Sequence, residues 1–140
     1  MIDRIWLHWL GAGFLLAIAT PASADPCEGE LPSRAGQVFA GVVRYVGDGD
    51  SLCIGSNTNP GEWIEVRLAD FDAPELQASG GELAKFALAR VALHRPVTCT
   101  AERGRSGRVV VFDRVIARCR IGGASIGDML RVVRAREGGR

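Results

Sequence analysis

Histidine is almost missing from this 140-residue sequence: only His8 and His94 are present. His8 lies in an apolar amino-terminal run that reads as a leader, so the rest of the chain holds one imidazole. That excludes a two-histidine ribonuclease site and a zinc site built from several imidazoles. A Ser-His-Asp triad would have to draw on His94, and none is expected. His94 closes a helical segment and reads as a C-terminal cap. No Cys-x-x-Cys pair occurs, which removes the usual zinc and redox signals. Lysine is reduced to Lys85 against sixteen arginines. The longest apolar run, 5–20, is broken by His8 and falls short of the ~20 residues that a membrane span needs.

What is present begins with export. Arg4, the apolar run and the small residues Ala22-Ser23-Ala24 form a secretory signal peptide over residues 1–24, with cleavage expected after Ala24. The remainder, 25–140, suits one domain with one modest core. It contains all four cysteines, Cys27, Cys53, Cys99 and Cys119. An even count in an exported chain argues for two disulfides. Charge is unevenly spread: residues 25–94 hold five basic and eleven acidic residues, whereas 95–140 hold eleven arginines and four acids. The first half suits a cation and the second a polyanion.

Residues 25–35 read as an irregular amino-terminal arm, and 36–140 as the folded domain. Strands are expected at 37–46, 51–55, 62–69, 97–100 and 114–121, where β-branched or alternating apolar residues recur. Turn chemistry occupies Gly47-Asp48-Gly49-Asp50 and 56–61. In the third strand Ile64, Val66 and Leu68 face the core, and Arg67 faces away. In the fifth, Val115, Ala117, Cys119 and Ile121 share one face; Arg114, Ile116, Arg118 and Arg120 share the other. Helices are expected at 82–94, with Leu83, Phe86, Ala87 and Val91 on one face, and at 125–135. The order implies an α+β, mainly β fold: a five-stranded Greek-key barrel of the OB type with two or so helices. Cys99 and Cys119 fall on core-facing phases of neighbouring strands, while Cys53 lies within reach of the arm that carries Cys27. The expected pairs are therefore 99–119 and 27–53.

Asp48 and Asp50 sit in the first turn, and Asp72 and Glu75 follow the third strand. If those strands form a hairpin, these acids meet at one end of the barrel. Oxygen donors without imidazole or thiolate suit a hard cation, Ca²⁺ before Mg²⁺. Arg67 and Arg114 add planar forks that match phosphate oxygens. A carboxylate near a bound water can orient or deprotonate it. This set suits phosphodiester hydrolysis and needs no histidine.

The ordered segments "YVGDGDSLCI", "VRLADFDAPEL" and "FDRVIARC" resemble the thermonuclease (staphylococcal nuclease-like) family over roughly residues 38–135. The resemblance implies an OB-fold and a Ca²⁺-dependent phosphodiesterase acting on DNA or RNA. By motif position it implies Asp50 and Asp72 as metal carboxylates, Ala73 as a ligand through its carbonyl, and Asp48 as a supporting acid. Glu75 takes the place of the general base or water-positioner, and Arg67 and Arg114 those of the phosphate arginines. Phe112 stands where a nucleotide-contacting tyrosine is usual. Val110-Val111-Phe112-Asp113-Arg114 replaces the family's Asp-Arg-Tyr-Gly-Arg, and Arg134 replaces a glycine. The expectation is a monomeric nuclease, secreted or periplasmic and without stable membrane insertion. The rival expectation is a non-catalytic module on the same fold that binds nucleic acid or another anion.

Overall fold

The computed structural model describes residues 25–138, so the expected signal peptide at 1–24 lies outside the described residues. The described residues form seven strands: β1 (Val38–Val46), β2 (Ser51–Gly55), β3 (Ile64–Leu68), β4 (Pro96–Ala101), β5 (Val110–Val111), β6 (Arg114–Ile121) and β7 (Ala124–Ser125). Two helices accompany them, α1 (Gly81–Ala92) and α2 (Ile126–Val132). The strands follow the order β3-β2-β1-β4-β6-β5, and an added β3–β6 pairing closes five of them into a barrel. This mixed barrel with two helices is an OB-type α+β fold, and closure removes the long free edges. β5 and β7 are two-residue strands hung on β6.

The alternation read from the sequence places the core. Val66 and Leu68 of β3 are fully buried, as are Val115, Ala117 and Cys119 of β6. β1 serves two neighbours and bends between them. Its register against β2 shifts between Val43 and Tyr45, the extra residue of a β-bulge, which re-aims a strand at a barrel corner. Every residue of β2 is buried, because the arm covers the strand's outer side. The arm is anchored by the Cys27–Cys53 disulfide and by Gly29 N–H donating to the Trp63 carbonyl at 2.8 Å. The second disulfide joins Cys99 to Cys119, which lie directly opposite on β4 and β6. Both bonds match the pairing expected from strand phase.

The helix α1 corrects one expectation. Its buried stripe is Gly81, Ala84, Leu88, Val91 and Ala92, whereas Leu83 and Phe86 are exposed. Small residues set this rotation. A β-carbon on Gly81 would strike the Glu75 carbonyl, and one on Gly49 would lie 2.5 Å from the Ala73 β-carbon and 2.6 Å from that of Ala84. The helix can therefore approach the Asp48-Gly49-Asp50 turn only on its alanine side. The C-cap of α1 is Leu93, whose N–H donates to the Ala89 carbonyl, and not His94; His94 follows with φ 66° and donates its N–H to the Val43 carbonyl of β1. Gly123-Ala124-Ser125-Ile126-Gly127 has the spacing of a serine-nucleophile elbow. Ser125, however, is buried and accepts from the Asp128 N–H at 3.0 Å as the N-cap of α2. A capping hydroxyl at this position explains the serine without catalysis.

Candidate phosphate cleft at the end of the third strand

Antiparallel pairing of β2 with β3 sets Ser51 opposite Arg67. The turn before β2 therefore lies beside the segment that leaves β3, and Asp50 meets Ala73 and Arg67 there. The Asp50 carboxylate, only 6 % exposed, accepts the Ala73 N–H through Oδ2 at 2.8 Å. The same oxygen lies 3.3 Å from Arg67 Nη2. That nitrogen also makes a short ion pair with Asp72 Oδ1. One guanidinium thus bridges the two carboxylates that the sequence places 22 positions apart. Its other terminal nitrogen donates to the carbonyls of Leu68 (2.6 Å) and Phe71 (3.0 Å). Asp48 acts one step back: its Oδ1 accepts the Asp50 N–H at 3.0 Å and shapes the turn.

The electrostatics follow from this crowding. Burial pushes the Asp50 carboxyl up to about 7, against the pull of Arg67 and of the Ala73 N–H. Asp48 is half-buried too, but hydrogen bonds from Asp50 and Ser51 hold its carboxyl below the usual range despite that burial. A second acidic group lies alongside. Glu65 is raised to about 7 by burial and by Asp25, with which it shares a hydrogen bond, while Arg114 opposes the shift. Parallel pairing of β3 with β6 sets Val66 opposite Val115, so the neighbouring Glu65 and Arg114 fall side by side.

Arg67, Asp72, Phe112 and Arg114 line one open cleft of about 590 Å³, together with Arg105, Ser106 and Arg131. That volume lies within the range of small-ligand sites. Phe112 is 86 % exposed at the tip of a two-residue hairpin between β5 and β6. It has φ 50° and Asp113 φ 58°, a left-handed pair of the kind that fits the twist of a tight hairpin. Arg134, where the resembling family carries glycine, is also left-handed at φ 55°.

Glu75 does not join this group. It is exposed and lines a neighbouring groove of about 490 Å³ with Asp72, Ala73, Ser79 and Arg136. Asp72 belongs to both grooves. Ala73 gives its N–H to Asp50, while its carbonyl lies near Gly138, whose own N–H donates to the Asp72 carbonyl at 2.6 Å. Residues 135–138 thus run along the segment that bears the expected ligands.

Two carboxylates converging on one cationic group form the donor chemistry that a hard cation takes. Asp50 and Asp72 fit such an ion on that ground. Among the described residues no cluster of three or more His, Cys, Asp or Glu side chains gathers for a metal.

Several cleft residues escaped the sequence reading. Arg131 holds Glu137 at 2.6 Å, Asp128 at 3.3 Å and the Asp70 carbonyl at 2.5 Å. The Asp70 side chain is buried and paired with Arg118 at 3.3 Å. Only the run Glu102-Arg103-Gly104-Arg105-Ser106-Gly107-Arg108 carried a signal, as a glycine-broken basic stretch. No family model matches the chain and no curated protein matches it, so function is read from the cleft itself.

Proposed function

We propose that this chain is an exported, Ca²⁺-dependent phosphodiesterase that hydrolyses DNA or RNA. The observation that carries the reading is the Asp50–Arg67–Asp72 bridge on the wall of a cleft that also presents Arg114 and Phe112. Two disulfides suit an oxidising compartment. No helix among the described residues is long and apolar enough to cross a membrane.

Asp50 and Asp72 are the residues that would hold the cation. When bound, Ca²⁺ supplies Lewis-acid polarisation of a phosphate oxygen and of a water. The chain's own residues do the rest. Arg67 exchanges its carboxylate partners for phosphate oxygens, and its planar fork bonds two of them as charge builds. Arg114 adds a second cation on the same cleft. Glu75, across Asp72, accepts the proton of the attacking water. Phe112 offers a ring face on which a base can stack.

One observation favours the non-catalytic rival: Glu75 lies in the neighbouring groove rather than beside Arg67 and Arg114. A binder would need the arginine cleft and nothing from Glu75. Cleavage of a labelled oligonucleotide with added Ca²⁺ and then with EDTA separates the two. Metal-dependent turnover supports the enzyme. Binding with no turnover under either condition supports the module and rejects hydrolysis.

A further inference from the structure

The cleft's four arginines are not equally engaged. Arg67 is held by Asp50 and Asp72, and Arg131 by Asp128 and Glu137. Arg114 stands beside Glu65 across the β3–β6 ladder, and its charge favours the ionised carboxyls of Glu65, Asp25 and Asp48. Arg105 is exposed and makes no hydrogen bond or ion pair among the described residues.

The loop that presents it is closed by its own hydrogen bonds and tied to β6. Its base is tied to β6 by Glu102 N–H donating to the Ile116 carbonyl at 2.8 Å and by the Arg118–Glu102 ion pair at 3.0 Å. Its turn is closed by Gly104 N–H to the Arg108 carbonyl at 2.8 Å, and Arg103 Nη1 donates to the Gly107 carbonyl at 2.9 Å. Gly107 has φ 79°, which glycine adopts without strain. A closed loop loses little freedom when its tip binds a ligand.

β6 lies between β3 and the loop, since Arg67 pairs with Ile116 and the place of a Gly104 β-carbon is 3.3 Å from Ile116 Cγ1. Two strand spacings put the loop roughly 10 Å from the backbone of β3. Arg67 and Arg105 thus enter the cleft from different elements, and a strand laid along it can offer each a phosphate of its own.

We propose that Arg105 is a second phosphate subsite of this cleft, which holds another phosphate of the strand whose scissile phosphate lies at Arg67. This rests on the polynucleotide reading above. Arg105 binds a phosphate remote from the one at Arg67 and is a specificity-determining residue, not a catalytic one.

The test is a fluorescence titration of a short labelled oligothymidylate in EDTA at several salt concentrations. It compares wild type, Arg105→Ala and Arg90→Ala. Arg90 stands on α1 outside the cleft, over the Phe86 ring, and controls for loss of one charge. Arg105→Ala should weaken binding about tenfold at low salt and reduce the slope of log K against log salt by about 0.7, the share of one single-strand phosphate contact. Arg90→Ala should change neither. An unchanged slope in Arg105→Ala, or equal losses in both variants, overturns the subsite. Wild type that binds but never cleaves in Ca²⁺ rejects the nuclease and leaves the subsite standing. Wild type that does not bind the oligomer rejects both.

Discussion

The Asp50 carboxylate accepts the Ala73 backbone N–H at 2.8 Å, across 23 positions of sequence. This bond ties the turn before β2 to the segment after β3, and it makes Asp50 structural as well as a candidate ligand. Asp50→Ala should strand a buried N–H and cost about 1–3 kcal/mol. Asp50→Asn keeps an oxygen acceptor and should cost less. Both should weaken Ca²⁺ binding. Urea denaturation in EDTA beside calorimetric Ca²⁺ titration separates the effects, and equal stability of the two variants would count against the Ala73 contact.

Arg67→Lys keeps the charge but loses the planar fork, in which one nitrogen bridges Asp50 and Asp72 and the other holds the Leu68 and Phe71 carbonyls. For an enzyme, kcat should fall by about 10²-fold or more, the scale of losing one preorganised donor. Glu75→Gln should lower kcat with little change in substrate affinity, since it removes a proton acceptor. Single-turnover cleavage is the measurement. Wild-type rates in the double variant would end the catalytic assignment of both.

Glu65 is pushed up to about 7, first by burial and then by the charge of Asp25, with Asp113 reinforcing and Arg114 opposing. Asp25 is raised as well, chiefly by burial. A carboxyl raised on folding holds a proton that the unfolded chain has already released. Its contribution to stability is whole below the ordinary glutamate value of about 4.3 and is lost as pH climbs through about 7. Between about pH 5 and about pH 8, wild type should lose stability relative to Glu65→Gln. Denaturation midpoints that run parallel across this window would remove the pair as its cause.

Cys99 and Cys119 join facing strands at the centre of the β4–β6 ladder, with a sequence separation of 20. Replacing both with alanine should cost about 2–4 kcal/mol, read as a lower urea midpoint. Replacing Cys27 and Cys53 should instead release the arm, uncover β2 and part Asp25 from Glu65. Its diagnostic is a weaker pH dependence in the same window. If the two double variants behave alike, the arm has no separate role.

Much of this molecule is legible in the chain because it rests on short-range periodicity. The two-residue alternation of β3 and β6 fixed which side chains enter the core, and hence the phase of Cys99 and Cys119. The turn residues around Asp48 and Asp50 are likewise local chemistry, whereas His94 donates to the distant Val43 carbonyl and Leu93 caps α1. The rotation of α1 is not local. Leu83 and Phe86 look like core residues by helical spacing, yet the close approach of Gly49, Ala73 and Ala84 turns the helix by its small side chains.

The site divides in the same way. Residue types and order within "GDGD" and "RLADFDAPEL" are enough to nominate Asp50, Asp72 and Arg67. That Arg67 bridges the two acids depends on β2 and β3 pairing with Ser51 opposite Arg67. That Glu75 falls in a different groove, and that Arg105 and Arg131 join the cleft, depend on barrel closure through β3 and β6. Local spacing determines which face of an element a side chain takes. Only the long-range ladders decide which faces meet, because their partners lie tens of residues apart and the intervening chain carries no period that encodes the distance.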